Sequence, residues 1–121
     1  MYVFAELKRI DFNGYIHNKD EAQNALLDSS YFIPLCLSIG EKGKDGADFF
    51  DVDVFNTGWV KEKKMVFGGG SFIFDDFDDF DDIEKSIKNF IDSIYGESWS
   101  DVLIKLRKYF SWEYENYQCK D

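Results

Sequence analysis

Six aspartates crowd one stretch of this chain: Asp75, Asp76, Asp78, Asp79, Asp81 and Asp82, interrupted only by Phe77 and Phe80. Clustered carboxylates are ligands for hard cations such as calcium. The spacing is wrong for the commonest such loop, which takes ligands at its first, third, fifth and twelfth positions and glycine at its sixth. Phe77 and Phe80 break that order. Asp51 and Asp53 begin the same pattern and lose it at Phe55 and Asn56. No metal site and no cofactor is expected. Two readings of the acidic stretch stay open: a solvated turn that caps the following helix, or a docking face for a basic partner. In the second, the interleaved Phe74, Phe77 and Phe80 would be anchors ringed by charge.

The other chemically suggestive residues form no set. Gly68, Gly69 and Gly70 resemble a phosphate-binding loop only in composition, since a strand-like Ser-Phe-Ile-Phe follows where a helix is needed. His17 is the only histidine, so a Ser–His–Asp or Cys–His arrangement would have to rest on it alone. No catalytic residue is assigned, and the chain does not read as an enzyme. Cys36 lies inside an apolar run and reads as a buried free thiol; Cys119 lies near the end.

Composition narrows the partners. The 121 residues include 24 Asp and Glu against 14 Lys and Arg, a net charge of −10. Nucleic acid and an anionic membrane surface would both repel such a chain. Aromatic residues make up 19%, which excludes a disordered acidic tail and supplies a core for one domain over residues 1–121. The N-terminal MYVFAELKRI lacks the basic and apolar regions of a secretory signal, and no window approaches 18 apolar residues. A cytoplasmic address follows as an expectation, where a disulfide is not expected.

The elements that must hold these residues are legible in the periodicity. Residues 2–10 alternate, with Tyr2, Phe4, Glu6, Lys8 and Ile10 on one face. A polar segment with a short helix near residues 20–27 follows. Residues 30–40 read as a strand, with Pro34 pointing to an edge position or a bulge. A glycine-containing turn over residues 41–46 joins it to a strand over 47–56, where Asp51, Asp53 and Phe55 share one face. One or two helical turns begin at Thr57, and residues 71–74 are a fourth strand. Residues 83–95 carry a helical stripe, with Asp81 or Asp82 as the cap and Gly96 as the stop. A second helix follows Ser98, with Trp99, Val102, Leu103, Leu106, Tyr109 and Phe110 on one face. Residues 111–117 alternate as a last strand. The expected class is α+β: a mostly antiparallel β-sheet with two C-terminal amphipathic helices packed on it and a final strand.

Three segments in this order resemble the immunity protein 8 family of bacterial polymorphic toxin and contact-dependent inhibition systems. They are the hairpin over residues 34–47 leading into the Phe-Asp-Val strand, the Thr57-Gly58-Trp59 step, and the close from Gly96-x-x-Trp99 to Trp112-Glu113-Tyr114-Glu115-Asn116-Tyr117. The DDFDDFDD stretch is more acidic than the family pattern, and Asn116 stands where an acidic residue is more usual. The resemblance implies a cytoplasmic protein that binds the C-terminal domain of a cognate toxin, often a nuclease, stoichiometrically and without catalysis. A basic toxin would suit the negative charge. Trp59, Asp75, Asp76, Phe77, Asp78 and Asp79 are the expected toxin-binding residues. The alternative is an acidic adaptor module with no toxin partner.

Overall fold

Alternation of apolar and polar residues lays down the strands. The computed structural model describes residues 2–63, 71–74 and 79–114. Strand β1 covers Val3–Phe12, β2 Phe32–Glu41, β3 Asp48–Asn56 and β4 Ser71–Phe74; β5 is Tyr95–Gly96 and β6 Ser111–Trp112. Helix α1 covers Lys19–Ala25, α2 Thr57–Lys63, α3 Phe80–Asp92 and α4 Trp99–Leu106. The sheet order is β4-β3-β2-β1-β5. The outer edge of β3 is shared: β6 pairs antiparallel with Phe50 and Asp51, and β4 pairs parallel from Asp53 to Asn56. The other pairings are antiparallel, so the expected α+β class with a mostly antiparallel sheet is what the fold shows.

One sheet face is the core. Ile33, Leu35, Leu37 and Ile39 of β2 meet Phe50, Val52 and Val54 of β3, all fully buried or nearly so. Helix α3 covers them with Phe80, Ile83, Ile87 and Ile91, a stripe at helical spacing, and α4 adds Val102 and Leu106. Each such side chain contributes roughly 1.5–3 kcal/mol on burial. Trp99 and Trp112 pack against this core. The β2–β3 connection turns on Gly43 and Gly46, at φ 84° and 93°, a backbone region that side chains disfavour.

Several expectations need correction. In β1 a bulge between Leu7 and Arg9 inserts one residue, so Ile10 leaves the face of Phe4 and joins Val3, Leu7 and Phe12 on the core side. Pro34 sits in an interior strand, not at an edge. Its carbonyl accepts from the Asn13 N–H at 3.1 Å, where β1 has just ended, so its missing N–H leaves no pairing strand short of a donor. Helix α3 starts one turn early, capped by Asp79 and not by Asp81 or Asp82, because Phe80 belongs to its buried stripe. The same helix ends at Ser93, short of Gly96. Gly96 instead pairs with Val3, and a side chain there would come within 2.7 Å of the Asp101 Cβ. Ser98 caps α4 as expected, accepting from the Asp101 N–H, but the Asp101 carboxylate reaches back to Glu97 N–H rather than to Ser98. Tyr109 and Phe110 follow the end of α4 instead of extending it. The last strand is two residues long; Glu113 and Tyr114 form a turn, and residues 115–117 lie outside the described residues, as do Cys119 and the glycines at 68–70.

Candidate protein-docking surface

Period-two alternation sends every second residue of β1, β2 and β3 away from the core. Register then assembles them into rows. Asp11, Cys36 and Asp51 stand side by side across the three strands. The next row holds Pro34 opposite Asp53, and the one after it Phe32 opposite Phe55. In the other direction lie Arg9, Ser38 and Phe49. Helices α1, α3 and α4 lie with the core, whereas α2 packs against β3 at the Phe32–Phe55 end of this outer face, where Phe55 is fully buried.

The carboxylates here are not equivalent. Asp11 accepts from Arg9 Nε at 2.9 Å. Asp51 accepts from Asn13 Nδ2 at 3.3 Å. Asp53 has no hydrogen-bond or ion-pair partner among the described residues. Burial, then the charge of Asp51, raises its pKa above the ordinary aspartate value. Cys36 is a free thiol, but it is half-buried on this face and not in the core, because Leu35 and Leu37 take the inward positions. Burial, followed by Asp51, Asp11 and Glu113, pushes its pKa up.

Trp59 closes one end of the face. Its ring stacks on Phe32 with centroids 5.1 Å apart and planes 21° from parallel. The buried Asn56 sets this corner: its Oδ1 accepts from the N–H groups of Trp59 and Tyr31, and its Nδ2 donates to the Ser29 carbonyl. Beside the stack lies a groove of about 610 Å³ lined by Tyr15, His17, Glu21, Asp28, Phe32 and Trp59, among others. The Tyr15 hydroxyl donates to the Phe32 carbonyl, and burial raises its pKa. His17 is exposed and engaged with Glu21, whose carboxyl is held below its ordinary value chiefly by the His17 backbone N–H.

The expected site residues divide accordingly. Trp59 lies at the outer face, half-buried. Asp79 is exposed and accepts from the Asp81 N–H at the start of α3, which packs on the core face. Sheet and helix thus place Trp59 and Asp79 with different layers. Asp75, Asp76, Phe77 and Asp78 lie outside the described residues. Asp81 and Glu84, just beyond, share Lys19. The sequence reading missed the row of Asp11, Cys36 and Asp51. Its signal was present in part, since alternation put Asp51 with Asp53; Asp11 joins them only through the β1 bulge. Among the described residues, no group of three His, Cys, Asp or Glu side chains converges as metal ligands would.

A surface of mixed aromatic and acidic residues suits recognition. Comparison of the chain with protein families finds a match to immunity protein 8 over residues 5–117. The chain belongs to the immunity protein 8 family. No curated protein and no solved structure gives a significant match. Membership of an immunity protein 8 family makes a toxin the general kind of partner. Among the described residues, no helix is long and apolar enough to cross a membrane.

Proposed function

We propose that this chain neutralises a cognate toxin by binding the toxin's C-terminal domain in a stoichiometric, non-covalent complex in the cytoplasm, without catalysing a reaction. The observation that carries this reading is the immunity protein 8 match across residues 5–117. The net charge of −10 supports a basic domain, such as a nuclease whose own face must attract phosphate. Opposite charge also speeds encounter, which matters for a protein that must capture a toxin quickly.

The proposed contact includes Trp59 and the stretch Asp75, Asp76, Phe77, Asp78 and Asp79. Phe74, the last residue of β4, pairs with Asn56, which lies three residues before Trp59. Half-buried aromatics with charged neighbours are the usual anchors of tight interfaces.

Co-expression with the toxin encoded beside this gene tests the reading. Growth is rescued, and the two proteins elute together at equal stoichiometry. Failure of both rescue and complex formation overturns it in favour of an acidic adaptor module that serves no toxin.

A further inference from the structure

We propose that the outer face of β1, β2 and β3 is the seat for a cationic segment of the toxin, with Asp53 as its central acceptor. This rests on the immunity reading above and extends it to a surface that includes neither Asp79 nor the rest of its acidic stretch.

Asp11 on β1 and Asp51 and Asp53 on β3 project on either side of β2 in positions fixed by backbone pairing, so little backbone or loop ordering is needed on binding. Asp11 and Asp51 each have a neighbour that orients them, Arg9 and Asn13. Asp53 has none among the described residues, though it is half-buried beside Pro34 and Cys36. Its raised pKa shows that the free protein holds this charge at a cost. A guanidinium or ammonium brought against it would reverse that cost.

The flanks favour arginine. At one end the Phe32–Trp59 stack offers an aromatic surface on which a guanidinium packs well. At the hairpin end Arg9, Lys8 and Lys44 are already paired, with Asp11, Glu6 and Glu41. With those charges paired and Asp53 unpartnered among the described residues, a cationic segment is drawn to the Asp53 end. Nucleic acid is excluded by the same carboxylates, and the net charge of −10 opposes self-association.

The test pairs two probes. In the first, the free chain is titrated with a hexa-arginine peptide and backbone amide shifts are followed by NMR. Shifts centred on Asp11, Cys36, Asp51 and Asp53, lost in the D51N/D53N double variant, support the proposal. Shifts centred elsewhere, or unchanged in D51N/D53N, overturn it whether or not the toxin is ever identified. The second uses the toxin domain encoded beside the gene. D51N/D53N should bind about tenfold or more weakly, with a shallower salt dependence. The charge-matched control D20N/E97Q, with Asp20 in α1 and Glu97 just ahead of α4, should bind as the wild type does. Wild-type binding with no loss in D51N/D53N overturns the seat and leaves the immunity reading standing. A toxin that does not bind the wild type at all overturns the immunity reading instead.

Discussion

The backbone N–H of Trp59 donates to the side-chain oxygen of Asn56 at 3.0 Å, so the last residue of β3 sets the first turn of the helix that carries the indole. The same oxygen accepts from Tyr31 N–H at 3.1 Å. One buried amide thus ties strand, helix and the preceding loop. Asn56→Ala strands two buried donors and should cost roughly 2–4 kcal/mol by urea denaturation. Asn56→Asp keeps the acceptor but sets a buried carboxylate against the Ser29 carbonyl, so it should cost at least as much at neutral pH and less in acid, where the protonated carboxyl can donate to Ser29.

Gly58 tests the same corner by volume. A Cβ there would lie 2.1 Å from the Ser29 carbonyl oxygen. Gly58→Ala must push the loop away and should cost about 1–3 kcal/mol. Gly43 is the contrast: its φ of 84° is strained for alanine, yet nothing stands in the way of a side chain. Gly43→Ala should cost about 1 kcal/mol. Only the Gly58 variant should change Trp59 fluorescence, measured with Trp99 and Trp112 replaced by Phe in both.

Asp53 should reveal itself through pH. Its native pKa is raised above the ordinary 3.8, so ionisation opposes folding. The stability its neutral form contributes is full below the unfolded value and is lost as pH rises through the elevated native one. Asp53→Asn removes that loss. The variant should therefore gain on wild type between acidic and neutral buffer, by an amount that solvent screening keeps small. Urea midpoints across that range measure it. A residue whose removal stabilises the free protein yet weakens binding is the pattern expected of a receptor site.

Cys36 reports on the row it shares with Asp11 and Asp51. Burial first, then these carboxylates, disfavour its thiolate. Asp51→Asn in a Cys119→Ser background should speed iodoacetamide alkylation, because it removes one of the charges that disfavour the thiolate. An unchanged rate would mean that the two groups do not sense each other. Bound toxin should slow the same reaction if it covers this face.

Much of the fold is legible because its signals are local. Alternation in residues 48–56 identifies β3 and its two faces, and the Ile83-Ile87-Ile91 stripe identifies α3. Ser98 announces α4, because a cap acts within one turn. The bulge in β1 carries no such mark. It appears only when β1 is held against β2, and it moves Ile10 to the core side while bringing Asp11 beside Cys36. The start of α3 was missed for a related reason: Phe80 could be exposed among charges or buried, and only its packing against Phe12 decides.

Composition and periodicity alone determined an acidic α+β domain with enough apolar residues for a core. Those properties follow from residue type and near-neighbour spacing. Tertiary structure decided which carboxylates share a surface. Asp11, Asp51 and Asp53 lie far apart in sequence or are separated by intervening residues, and strand register is what sets them together. Cross-strand pairing depends on hydrogen bonds between distant segments, and one inserted residue reverses every face beyond it.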